Sequence, residues 1–212
     1  MSDHYYSPVP HSAHKPAQVC YTYHGNSLAF HTDSGVFSRL EIDKGTDILL
    51  NALPENLSGP VLDMGCGYGA IGVAVGKAYP GCRITLADIN QRAVELATRN
   101  AKENNVQAHV LQSDGYAAIP IERAFSLILQ NPPIRAGKSV IYQMFADGAA
   151  RLKEHGALWL VIRKQQGAPS AAAYLRSLFH DVSIPEKKSG YWILCCENPV
   201  SNTEKGITSH EL

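Results

Sequence analysis

Net charge is what this chain lacks first: 19 basic and 19 acidic residues cancel over 212 positions. No global field therefore draws the protein to nucleic acid or to a membrane surface, and a polyanionic partner would have to meet a local patch. Paired cysteines are missing as well. Cys20, Cys66, Cys82, Cys195 and Cys196 are odd in number and form no C-x-x-C pair, and the amino-terminal "MSDHYYSPVPHSAHKP" holds no signal-type apolar segment. A reducing, cytoplasmic setting is the expectation. No apolar run approaches membrane-spanning length, and the histidines clustered before position 32 have no metal-ligand spacing. Neither a membrane nor a metal is expected. The length suits one α/β core and is short for two.

What the chain does have is alternation. Residues 1–17, rich in proline, serine and histidine, read as a loosely ordered arm. "QVCYTYHGNSLAFHT" then shows two period-2 runs joined by a glycine turn, a β-hairpin. "DKGTDILLNAL" follows at helical spacing, with Asp43 or Thr46 as its cap. Residues 18–58 are thus expected to form a hairpin and helix packed on a main domain of residues 59–200, with 201–212 as a tail. From residue 60 onward strands and helices alternate: "PVLDMG", a helix over 69–79, "CRITLADIN", a helix over 91–104, "QAHVLQSD", "FSLILQ", a helix capped by Ser139 and ended by Gly156, "ALWLVIR", and a helix over 170–179. This rhythm predicts a doubly wound, mostly parallel α/β sheet, since parallel neighbours need crossover helices. The closing runs "DVSIP" and "GYWILCCE" are too close for a crossover. One of them should be antiparallel.

"DMGCGYGAIG" sits between a strand and a helix, where glycines permit a tight turn and close approach of a ligand to the backbone. It reads as D-x-G-x-G-x-G through Asp63, Gly65, Gly67 and Gly69, or as the dinucleotide fingerprint G-x-G-x-x-G through Gly67, Gly69 and Gly72 with Asp88 downstream. The loop alone does not choose, and glycines placed only for packing are a third reading. The acids bear on the choice. Asp63 precedes the first glycine, where a pyrophosphate would prefer no carboxylate, while Asp88 and Asp114 stand at the next two strand ends. Each could merely cap a helix; together they favour a nucleoside carrying a positive charge.

These features resemble the class I S-adenosylmethionine-dependent methyltransferases, with their seven-stranded sheet, over residues 60–197. The resemblance implies that Asp63, Gly65, Cys66, Gly67 and Gly69 cradle the methionine part, that Asp88 and Ile89 meet the ribose, and that Ser113, Asp114 and Gly115 meet the adenine. Gly45 and Thr46, at a helix start, would hold the methionine carboxylate. "QNPPIRAGK" then asks why a buried strand should end in Asn-Pro-Pro. Proline cannot extend a ladder and restricts the residue before it, so the strand stops at Asn131. In methyltransferases that share this N-P-P-x motif, the asparagine side chain and the first proline carbonyl accept hydrogen bonds from the target amine. The resemblance thus makes Asn131, Pro132 and Pro133 the catalytic turn, with Asn131 also bordering the cofactor.

The fourth motif position, often aromatic in enzymes acting on adenine or glutamine, is Ile134. "TDSGVFS", "IDKGT", "NPPIRAGK" and "VIRKQQGA" together are similar to the RsmC-type family of small-subunit ribosomal RNA guanine-N2 methyltransferases, in its single-domain branch. That likeness implies ribosomal RNA or the small subunit as partner, for a monomer or homodimer. Arg135, Lys138, Arg163 and Lys164 follow strand ends and would rim the crevice for phosphate contact. Phe37 either stacks on a flipped guanine or packs in the hairpin core. Other readings stay open: a methyltransferase for a protein amide, adenine or small molecule; an NAD-binding oxidoreductase; or a retired enzyme serving as an RNA-binding module.

Overall fold

The computed structural model describes residue 8, residues 12–121 and residues 124–200. Most of the expected arm (1–7 and 9–11) and all of the tail (201–212) lie outside the described residues. The chain opens with β1 (Ala17–Tyr23) and β2 (Asn26–Thr32), an antiparallel pair. Their turn places His24 and Gly25 at φ 47° and 75°, the doubly left-handed geometry that matches hairpin twist. Next comes α1 (Lys44–Ala52), capped by Asp43, whose side chain accepts from the Thr46 N–H at 3.0 Å. Of the two expected caps it is the earlier one.

The main sheet then builds through β3 (Gly59–Met64), α2 (Ala70–Ala78), β4 (Cys82–Asp88), α3 (Gln91–Glu103), β5 (Ala108–Gln112) and β6 (Phe125–Gln130). It continues with α4 (Lys138–Ala149), β7 (Leu152–Arg163), α5 (Ala168–Leu175), β8 (Phe179–Lys188) and β9 (Tyr191–Pro199). The seven strands lie in the order β5-β4-β3-β6-β7-β9-β8. All pairings are parallel except those of β9, which runs antiparallel to both β7 and β8. The expected antiparallel strand is therefore β9. Its turn to β8 is Ser189–Gly190, again with both φ positive, so the strand preceding it runs on through Lys188.

Two apolar layers cover the faces of the sheet. One gathers α1, α2, α3 and the hairpin around Leu49, Val73, Leu86 and Leu129; the other gathers α4 and α5 around Leu62, Phe145, Leu158 and Leu175. β3 and β6 are buried on both sides and read as continuous apolar runs for that reason. Gly72 and Gly76 let α2 lie close to the sheet. A Cβ at Gly72 would stand 2.2 Å from Leu86, and one at Gly76 would stand 2.5 Å from Val106.

Two local expectations are corrected. Ser139 does not cap α4: it falls inside the helix, and Gly137, at φ 98°, is the cap residue without a side-chain bond. Gly156 does not end that helix either, which stops at Ala149; Gly156 lies within β7 beside a register shift, where a Cβ would come 2.8 Å from the Phe125 carbonyl. On α3 the buried residues are Ala93, Ala97, Asn100 and Ala101, with Val94 only half-buried. Asn100 is there because its amide extends the ladder of the hairpin. It accepts from the His31 N–H at 2.7 Å and donates to the His31 carbonyl at 2.9 Å, and Asn104 repeats this with Ala29 at 3.1 and 2.9 Å. One helical turn apart, the two asparagines stand in for a neighbouring strand and pin the hairpin edge.

Candidate active site

The order of the sheet reverses between β3 and β6, since the chain winds outward to β5 on one side and to β8 on the other. A crevice opens where such a reversal leaves the carboxyl ends of the strands uncovered. Here it is a cavity of about 360 Å³, walled by the ends of β3, β4, β5 and β6, the start of α1, the segment after β2 and the first turns of α4.

One wall is made of backbone. Gly65, Gly67 and Gly69 have φ of 72°, 55° and 90°, a region that side-chain-bearing residues seldom occupy. Asp88 ties the loop down: its carboxylate accepts from the Gly67 N–H at 2.8 Å and from the Asn90 N–H at 2.9 Å. Burial raises its pKa against those bonds. Beneath the loop lies Asp63, with no exposed surface. Its Oδ2 accepts from the Gly72 N–H at 2.8 Å, while its Oδ1 has no hydrogen-bond partner among the described residues. Burial pushes this carboxyl up to about 7, the neighbouring Asp88 charge adding to the rise and the Gly72 bond opposing it. An orphaned, fully buried carboxyl oxygen is costly unless a donor or cation arrives to meet it.

The facing wall is made of side chains. Asn131 follows β6, and its Nδ2 donates to Asp43 Oδ2 at 2.9 Å and to Thr46 Oγ1 at 3.1 Å. Pro132 and Pro133 continue this wall, and Val140 and Met144 of α4 close its far side. Phe37, 39% exposed, stands at the wall contributed by the segment after β2. That segment is anchored where Asn90 donates to the Gly35 carbonyl at 2.8 Å and Arg92 to the Ser34 carbonyl at 2.7 Å.

Of the sequence-derived residues, Phe37, Thr46, Gly65, Cys66, Gly67, Asp88, Ile89, Ser113, Asp114, Gly115, Asn131, Pro132 and Pro133 all border this one cavity. Asp63 and Gly69 support it from below without lining it. Ile134 packs instead against the apolar layer under α4. Arg135 and Lys138 are exposed just beyond the Asn-Pro-Pro turn, and Lys138 Nζ lies 5.0 Å over the Tyr142 ring. Arg163 and Lys164 sit one strand further out; Arg163 donates to the Tyr191 hydroxyl at 2.7 Å and stacks on its ring. The sequence reading missed Asp43 as a site residue, along with the apolar lid residues Val36, Val140 and Met144.

Residues 27–195 match the family model described as the methyltransferase small domain. The chain belongs to that family. Within it, the chain resembles the RsmC type. It is 32% identical to the ribosomal RNA small subunit methyltransferase C of Haemophilus influenzae over 81% of this chain and 52% of that one. It also superposes on the Thermus thermophilus 16S rRNA N2 G1207 methyltransferase, RsmC, solved with AdoMet and guanosine, with a TM-score of 0.78 and 26% identity over 88% of this chain and 51% of the other. This methyltransferase small domain thus spans about half the length of its RsmC relatives. Against YbxB of Bacillus subtilis, an uncharacterized protein, it is 41% identical over 92% of its own length and 98% of the other.

Within this methyltransferase fold burial first, then the Asp88 and Asp63 charges, hold the Cys66 thiol well above the ordinary value, which disfavours the thiolate. The outer edge beyond β6 is electrically different from the cavity. Arg135, Lys138, Arg163, Lys164, Lys187 and Lys188 all stand at the carboxyl ends of β6, β7 and β8 or within eight residues after them, and among the described residues none of them forms an ion pair. No helix among the described residues is long and apolar enough to cross a membrane.

Proposed function

We propose that this protein transfers a methyl group from S-adenosylmethionine to the exocyclic N2 amine of a guanine in small-subunit ribosomal RNA. The observation that carries the reading is Asn131, held at the cavity wall with its amide nitrogen turned to Asp43 and Thr46 and its oxygen left to accept from an incoming amine. The cofactor suits the opposite wall. Asp63 Oδ1 is a buried acceptor with no donor among the described residues, Gly65 and Gly67 border the cavity with left-handed backbone, and Asp88 ends β4 while Asp114 follows β5. When bound, S-adenosylmethionine supplies an electrophilic methyl on a sulfonium.

The protein's own residues prepare the amine. An arylamine is a poor nucleophile because its lone pair is delocalised into the ring. Asn131 Oδ1 and the Pro132 carbonyl each accept one N–H, which fixes the nitrogen and turns its lone pair toward the cofactor wall. Positioning and local electrostatics of this kind carry most of the rate. No strong base is needed, because the nitrogen becomes acidic on methylation and yields its proton to water. Ile134 is half-buried against the apolar layer under α4, and Phe37, at the cavity wall, is the aromatic ring on which a flipped base would stack. The unpaired cations beyond β6 would meet phosphates of the flanking RNA.

The test is transfer from labelled S-adenosylmethionine to small-subunit particles and their ribosomal RNA, followed by nuclease digestion and nucleoside mass analysis. Label in N2-methylguanosine is the expected result. Tight cofactor binding with no label in any RNA nucleoside would count against the proposal and favour a protein or small-molecule amine.

A further inference from the structure

We propose that Asp43 is a positioning residue that sets which end of the Asn131 amide faces the substrate. The inference rests on the reading of Asn131 as acceptor for the target amine. An amide side chain has two ends of nearly equal shape, and only the oxygen can accept a hydrogen bond. Nothing in the proline turn itself selects one end. Thr46 Oγ1, 3.1 Å from Asn131 Nδ2, is indifferent, because a hydroxyl both donates and accepts. Asp43 Oδ2, 2.9 Å away, is not: a carboxylate only accepts, so the NH₂ must face it and Oδ1 must face away. A flipped amide would forfeit a bond to a charged group and oppose two oxygens, a bias of about ten- to a hundredfold toward the productive orientation.

Asp43 is itself fixed by neighbours that leave it little freedom. The same Oδ2 accepts from the Thr46 N–H at 3.0 Å, which makes the carboxylate the cap of α1. Gly45 is packed so tightly beside it that a Cβ there would lie 2.9 Å from Asp43 Oδ2 and 2.9 Å from the Tyr191 ring. Tyr191 is held in turn by the Arg163 bond to its hydroxyl. Orientation is one effect of this arrangement and polarisation is another. A charge-assisted bond at the NH₂ end shifts electron density toward Oδ1 and makes it a stronger acceptor for the amine.

Two substitutions separate this role from simple capping. Asp43→Ser keeps a good cap but is too short to reach Asn131; Asp43→Asn keeps both the cap and the reach without the charge. At saturating cofactor and RNA, Asp43→Ser should lower kcat about ten- to a hundredfold, with cofactor Kd within about threefold and the melting temperature little changed, and Asp43→Asn should recover much of the loss. Wild-type kcat in Asp43→Ser would overturn the inference. So would a loss that appears only as weaker cofactor binding or lower melting temperature, with Asp43→Asn no better than Asp43→Ser. Asn131→Ala assayed alongside tells the two levels apart: a large loss there with full activity in Asp43→Ser sinks the inference alone, whereas full activity in Asn131→Ala sinks the reading of Asn131 beneath it.

Discussion

The two walls of the cavity are built by opposite means. The wall at β3 to β5 is backbone turned left-handed at three glycines and tied by Asp88 from a strand end about twenty residues downstream. The wall at β6 is a side chain, Asn131, whose partner Asp43 comes from the start of α1, 88 residues earlier. The glycine loop and its Asp88 tie lie within one β-α-β unit, β3-α2-β4. The second wall exists only after the hairpin, α1 and the sheet have come together, so it depends on the whole fold and should be the easier to perturb from a distance.

That difference is sharpened by four substitutions or titrations. The largest effect is expected at Asn131→Ala, which removes the acceptor at the reacting nitrogen: kcat should fall about a hundred- to a thousandfold, as for loss of one preorganised catalytic hydrogen-bonding group, with cofactor Kd nearly unchanged. Steady-state transfer and calorimetric cofactor titration check both halves of that statement. Gly72→Ala comes next and strikes the other wall. Alanine gains up to about 1 kcal/mol of helix propensity, but its Cβ would lie 2.2 Å from fully buried Leu86 and 3.1 Å from the Asp63 side chain. Overpacking costs about 1–3 kcal/mol, so a net loss of stability in denaturant unfolding is expected, together with weaker cofactor binding.

Asp63 gives a pH signature. Its carboxyl, pushed up to about 7 by burial, is neutral below that pH and charged above it. A ligand cation prefers the carboxylate, so cofactor affinity should rise roughly tenfold between pH 6 and 8 and then level off, a rise that Asp63→Asn abolishes. The stability of the ligand-free protein runs the opposite way. The folded state keeps a proton that the unfolded chain has already lost, so the contribution of Asp63 is full below the ordinary carboxylate range and is lost as pH rises through about 7. Unfolding midpoints of wild type and Asp63→Asn at pH 5 and 8 would show it. The smallest effect belongs to the basic edge: Arg135→Ala with Lys138→Ala should leave transfer to free guanosine alone and lower the slope of log affinity against log salt for RNA by about 1–2.

The same contrast explains how much was legible from the sequence. The glycine loop, the strand-end acids and Asn-Pro-Pro are local patterns with local physical causes, and most of them border one cavity, with Asp63 and Gly69 beneath it. The antiparallel last pair followed from the short spacing of "DVSIP" and "GYWILCCE". Asp43 was visible only as a cap, because the bond that gives it a place in the site spans most of the fold. Asn100 and Asn104 sit where a helical pattern expects a core face or solvent, and their pairing with β2 has no sequence period. Ser139 looked like a cap because serine is a good one; Gly137 held the position because the chain there needs φ of 98°.

The most direct test of two separable walls is a double-mutant cycle between Asn131→Ala and Asp88→Ala, with cofactor Kd and the rate at saturating cofactor measured for all four proteins. Independent walls predict that the Kd change follows Asp88→Ala alone, that the rate change follows Asn131→Ala alone, and that the coupling in either quantity stays within about 0.5 kcal/mol. A coupling well above about 1 kcal/mol, or an equal loss of cofactor affinity in both single variants, would contradict the account.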